Sequence, residues 1–137
     1  MTRESIQQTL TKALSDLCIL ENIAVVYPNQ AYEVTVGTPY LQQWFIEGDS
    51  TDTVLEEGYE RIRGIMQIDI NVPADTGESQ IFSIYDKLKL IFKTNGKIRN
   101  KYGTVQLGRI YLRGTLYESP WYTRYMTVEY TAFTDNE

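Results

Sequence analysis

The stretch Arg61-Ile62-Arg63-Gly64-Ile65-Met66-Gln67-Ile68-Asp69-Ile70-Asn71-Val72 decides how the rest of the chain is read. Its even positions, Ile62, Met66, Ile68, Ile70 and Val72, are apolar with one gap at Gly64. Its odd positions, Arg61, Arg63, Gln67, Asp69 and Asn71, are polar, with Ile65 the exception. Successive side chains of a strand point to opposite faces, so a period of two predicts a strand with one buried face. A run of about a dozen residues is roughly twice the usual strand length. Such a strand crosses a whole sheet and serves as its spine.

On the N-terminal side, Pro39 opens a second strand, Tyr40 to Ile46. Residues 47–58 separate it from the spine. They are acidic and rich in turn-formers, so they read as a hairpin connection longer than the usual two to five residues, and mobile. Ile23 to Tyr27 is a short β-branched run ended by Pro28-Asn29, either a brief edge strand or an extended connector. Residues 30–37 hold no firm periodicity. Ile6, Leu10, Ala13, Leu14 and Leu17 mark one face of a helix over residues 3–19. Thr2 or Ser5 can cap it, with Gln8 completing a box with Ser5, and Asn22 can stop it.

On the C-terminal side, Pro73 ends the spine because it lacks a ladder donor. Asp75 offers an N-cap, with Glu78 three residues on, to a second helix whose apolar face is Ile81, Ile84, Tyr85, Leu88, Ile91 and Phe92. Asn95-Gly96 stops that helix, and residues 97–101 read as a basic linker. A third long strand, Val105 to Tyr117, has two mixed faces. Ser119-Pro120 turns the chain into a fourth, in which Tyr122, Met126, Val128, Tyr130 and Ala132 alternate with polar residues. The polar tail 134–137 is expected to fray. The expectation is one α+β domain over residues 1–137, with a mainly antiparallel sheet of about four strands and two helices packed on it.

A chain of 137 residues suits one domain with a sizeable core. The single Cys18 can form no intramolecular disulfide and has no zinc-knuckle partner, which points to a reducing compartment and to a packing role. Residues 1–20 lack the apolar core of a signal peptide, and no run approaches a membrane-spanning length, so a soluble chain made inside the cell, without a membrane partner, is expected. A net charge of −5 argues against nucleic-acid binding as its main business. The charges are also segregated. Residues 47–57 carry Glu47, Asp49, Asp52, Glu56 and Glu57 with no Lys or Arg. Residues 87–113 carry Lys87, Lys89, Lys93, Lys97, Arg99, Lys101, Arg109 and Arg113 with no acid. A molecule with two such poles can attract copies of itself, and eleven tyrosines suit interfaces.

The absence of histidine removes the usual catalytic triads and most zinc sites. The acidic loop does not match the alternating pattern that wraps calcium, and the basic run has no Gly-rich phosphate cradle, so no cofactor and no metal is expected. A carboxylate-dependent, metal-assisted hydrolase using Asp49, Asp52 or Asp69 is a distant rival, because it lacks a supporting base. Arg61 and Arg63 on the spine, and Arg109 and Arg113 on one side of the third strand, are either ordinary surface charge or part of a subunit contact, where guanidinium groups pair with carboxylates.

Taken together, Gly37-Thr38-Pro39-Tyr40-Leu41, the acidic loop ending in Gly58-Tyr59, Arg63 to Ile70, Pro73 before a helix, and Trp121-Tyr122 leading a terminal strand resemble the tail terminator (U-like minor tail protein) family of long-tailed bacteriophages. The resemblance implies a non-enzymatic virion assembly protein, made in the host bacterial cytoplasm, that caps the completed tail tube at its head-proximal end. It implies a hexameric ring that ends tail polymerisation, with the tail tube protein on one side and a head connector or neck protein on the other. Another neck, head-closure or tail completion protein is the nearer alternative. Rings need head-to-tail contacts between unlike patches. The subunit interface expected on this reading combines the acidic Asp49, Asp52, Glu56 and Glu57 with the basic Arg61, Arg63, Arg109 and Arg113.

Overall fold

The structure, a computed structural model, describes residues 2–30, 37–48, 51–52, 59–75, 77–118 and 120–135. The chain begins with helix α1, Arg3–Glu21. Thr2 caps it, its hydroxyl accepting from the Ser5 N–H while the Ser5 hydroxyl accepts from the Thr2 N–H. The box therefore closes between Thr2 and Ser5, one turn earlier than the expected Ser5 and Gln8. At the other end Asn22 takes the left-handed conformation, with φ of 56°, and its N–H returns to the last carbonyls. Strand β1, Ala24–Val26, follows, then β2, Tyr40–Glu47; β3, Thr51–Asp52; and β4, Tyr59–Pro73. Helix α2, Ser79–Ile91, precedes β5, Lys97–Asn100; β6, Gly103–Glu118; and β7, Trp121–Asp135.

The strands form one sheet in the order β1-β2-β4-β7-β6-β5, and β3 pairs with β4 beyond the end of β2. β1 runs parallel to β2, and every other pair is antiparallel. This corrects the expected four-stranded antiparallel sheet. The molecule is mostly strand, a curled mixed sheet shaped as a half-barrel with two helices. The additional strands are short and carry little periodic signal. β5 is Lys-Ile-Arg-Asn, with one apolar residue, and so reads as a basic linker. β1 has three residues and β3 two.

The spine reading of β4 holds. Its 15 residues pair along their whole length with β7, from Tyr59 opposite Asp135 to Pro73 opposite Trp121. On its other side Tyr40 to Glu47 of β2 face Asn71 to Gly64. Ile62, Met66, Ile68, Ile70 and Val72 are all buried, against Ile6, Leu10, Leu14 and Leu17 of α1 and Ile81, Ile84 and Leu88 of α2. Burying each such side chain is worth roughly 1.5–3 kcal/mol. Both helices thus lie on the face presented by the even positions of β4. Cys18 belongs to this core, and burial raises its thiol to about 11.

The mixed faces of β6 have a physical cause. Its pairing with β7 slips between Leu107 and Ile110 and again between Arg113 and Leu116. A bulge inserts a residue and reverses which face the following side chains occupy. Val105 and Leu107 are buried on the odd parity, while Ile110 is buried on the even parity. Gly114 sits in the second irregularity with φ of 69°, where a ring carbon of Tyr125 would lie 2.9 Å from an added Cβ.

Helix α2 starts without the expected cap. Asp75 lies in a turn with positive φ, and Glu78 at the N-cap makes no capping bond. The Glu78 carboxylate instead accepts from the Tyr122 hydroxyl at 2.6 Å and pairs with Arg124 at 3.5 Å, tying the helix to β7. The helix ends at Phe92, and Asn95-Gly96 turns the chain into β5.

Candidate assembly surface

The odd positions of β4 place Arg61, Arg63, Ile65, Gln67, Asp69 and Asn71 on the face away from the helices. The pairing extends this face in rows across the sheet. Trp44, Gln67, Thr127 and Tyr111 form one row, and Gln42, Asp69, Tyr125 and Arg113 the next.

On β6 the Arg109 guanidinium carbon lies 5.0 Å from the centre of the Tyr111 ring and that of Arg113 lies 5.9 Å from it. Two cations thus share one aromatic ring, each such contact being worth about 0.5–1 kcal/mol at an exposed site. Among the described residues neither guanidinium has a carboxylate in ion-pair range. The Glu129 carboxylate is occupied at the first bulge, accepting from the Arg109 backbone N–H at 3.3 Å. Arg63 is exposed, opposite Thr131, and Arg61 is half-buried, opposite Phe133 of β7 and Thr51 of β3. All four expected arginines therefore share one face, two on β4 and two on β6, with β7 between them.

Asp49, Glu56 and Glu57 lie outside the described residues. Asp52 belongs to β3, opposite Glu60. That position is nine residues before Asp69 along β4, roughly 30 Å at ~3.3 Å per residue, so Asp52 and Asp69 cannot share one metal ion. No cluster of three metal-ligating side chains occurs among the described residues, and none of their helices is long and apolar enough to cross a membrane.

Asp69 has a different task. Trp44 Nε1 donates to its Oδ2 and Gln67 Nε2 to its Oδ1, both at 2.8 Å. Burial raises its carboxyl above the ordinary range, and these two bonds oppose the rise. The cluster fastens β2 to the spine on the solvent side. The periodicity of β4 put Asp69 on this face, but nothing in the sequence pairs it with Trp44.

At the acidic-loop end of the sheet, a groove of about 440 Å³ runs past Ile46, Gly48, Arg63, Ile65, Gly108 and Glu129. Its back wall is closed by Tyr130, which faces Gly64 and meets Phe45 edge-on at 6.4 Å. Exposed Trp44, Ile46 and Phe133 lie at this end of the sheet, and exposed Leu116 and Tyr117 at the other. The surface opposite the helices thus mixes aromatic groups, aliphatic groups and cations. That composition suits protein contacts.

The family model for phage tail terminator proteins matches residues 5–130. The chain belongs to the phage tail terminator family. A tail terminator of this kind is a structural component of the virion tail with a role in tail completion. The family is a structural one, in keeping with a surface built for contact. A solved chain that is 18% identical superposes on this terminator with a TM-score of 0.76, covering 96% of this chain and 95% of its own. At that identity the likeness speaks for the fold alone, and it extends nearly end to end. No curated protein matches.

Proposed function

We propose that this terminator caps the completed tail tube as a hexameric ring at its head-proximal end, ends tube polymerisation, and then presents a surface to the head connector. The family match over residues 5–130 carries the reading. The segregated charges support it, because a ring needs two unlike patches on each subunit. In this reading the acidic segment with Asp49, Asp52, Glu56 and Glu57 meets the face holding Arg61, Arg63, Arg109 and Arg113 on the next subunit. The tail tube protein and a neck protein are the other partners.

The test is electron microscopy of tails assembled without this protein. Tubes of uncontrolled length are the expected result. Tails of normal length that fail only to join heads would assign the protein to head closure instead.

A further inference from the structure

The two edges of the sheet are each half covered, at opposite ends. On one side β5 pairs only with Gly103 to Gln106 of β6, and the Asn95 to Gly96 turn adds two bonds at Leu107 and Gly108. From Arg109 to Glu118 the outward edge of β6 has no strand partner among the described residues, and Arg113 to Glu118 are all exposed. On the other side β1 covers only Tyr40 to Gln42 of β2. From Gln43 to Gly48, and at Thr51 and Asp52 of β3, that edge also has no strand partner among the described residues.

Open edges are templates for further pairing. We propose that these two edges pair with each other between copies of the chain, the β6 edge of one copy receiving the β2–β3 edge of the next in antiparallel fashion. The proposal rests on the ring reading above and names the seam.

Three observations favour a second copy as the occupant. The open lengths match: through β7, Ile110 to Glu118 stands level with Met66 to Pro73 of β4, and Gln43 to Asp52 stands level with Ile68 to Glu60. The directions are opposite, since β6 runs with β4 and β2 runs against it, so the junction continues the antiparallel sheet. The charges complement as well. Antiparallel alignment brings Arg109 and Arg113, which lack carboxylate partners among the described residues, beside the acid-rich end that begins at Glu47.

The stagger is also consistent with closure. The two open edges are offset along the strands by about five residues, roughly 17 Å. Four strands per copy span roughly 19 Å across the sheet at ~4.8 Å spacing. A closed ring absorbs that offset only if its strands tilt by about 40°, which lies within the tilt of closed β-barrels.

Cysteine cross-linking tests the seam. Leu116 and Ile46 are exposed, at 43% and 52%. Leu116 pairs with Thr123, which faces Asn71, and Ile46 faces Ile65, so both lie on the side away from the helices. Their six-position offset along β4 is within about a residue of the stagger. A Leu116→Cys, Ile46→Cys double variant, assembled into tails and mildly oxidised, is expected to give a covalent ladder ending at the closed ring, whereas each single variant stays monomeric in denaturing gels. Buried Cys18 does not interfere. Rings of normal mass without cross-links would overturn the edge pairing and leave the ring reading standing. Unmodified protein that forms no ring on tails would overturn both.

Discussion

Gly64 of β4 and Tyr130 of β7 face each other across the sheet, and the tyrosine ring occupies the space a β-carbon on residue 64 would need: Cζ would lie 2.6 Å from it. The Ile46 carbonyl would lie 3.1 Å away on the other side, so neither neighbour can yield freely. This explains the single gap in the apolar alternation of the spine. Gly64→Ala is expected to destabilise the fold by about 1–3 kcal/mol, the usual cost of overpacking. Urea unfolding measures it, and an unchanged midpoint would contradict the packing described.

Tyr130 also makes stability depend on alkaline pH. Burial, with the Glu47 charge adding to it, pushes its hydroxyl from 10 up to about 12. Between those values the unfolded chain has lost a proton that the folded chain keeps, so this contribution is intact below pH 10 and is lost as pH rises toward 12. Cys18 acts the same way between 9 and about 11. Tyr130→Phe should flatten the fall in stability between pH 10 and 12, and Cys18→Ala the portion that begins near pH 9. Denaturant titrations at stepped pH show either effect.

Asp69 gives the opposite kind of test. Its carboxyl is raised by burial, so ionisation is less favourable in the folded state. The folded chain holds the proton to higher pH than the unfolded one. Stability from this group is therefore greatest below 3.8 and falls as pH rises through the folded value. Asp69→Asn removes the charge and keeps an acceptor for Trp44, so it is expected to be neutral or mildly stabilising at pH 7. Asp69→Ala leaves the Trp44 and Gln67 donors without their acceptor and is expected to cost about 1–2 kcal/mol. A stability ranking of Asn below Ala would refute this account.

Charge reversal addresses the proposed contact between subunits. Arg109→Glu with Arg113→Glu is expected to leave a folded monomer, by circular dichroism, that does not form rings. Glu56→Lys with Glu57→Lys should do the same. Combining all four changes in one chain should restore rings at least partly, because the attraction is re-formed with its signs exchanged. Failure of the combination, with both parents folded, would separate these residues from the seam.

The sequence made some of this legible and not the rest. The alternation of residues 61–72 gave the spine and its buried face, because a strand paired on both sides must sort its side chains strictly. The helix faces were equally plain, and so were Asn22 as a stop and Cys18 as a packing residue. β5 was missed because Lys97 and Arg99 mask the one apolar residue of an edge strand. The parallel placement of β1 depends on a crossover that no local pattern records. The site was half readable. Pattern put Arg61 and Arg63 on one face of the spine and Arg109 and Arg113 on one side of the third strand, but that the two faces coincide depends on β7 between them, and the stacking of Arg109 and Arg113 on Tyr111 depends on where the bulges fall.

The position of β7 has a consequence for how the molecule comes into being. It follows all the other described strands, yet it lies between β4 and β6. Until residues 121–135 have been synthesised, the sheet exists as two fragments with no ladder between them. One is β1 to β4, and the other is the β5–β6 pair. Closing it joins residues far apart along the chain, a slow class of folding step. A nascent chain interrupted before β7 therefore has neither a complete core nor the long β6 edge in its final place. On the proposed seam, a chain that stops short of β7 would therefore lack the β6 edge that the next subunit must meet.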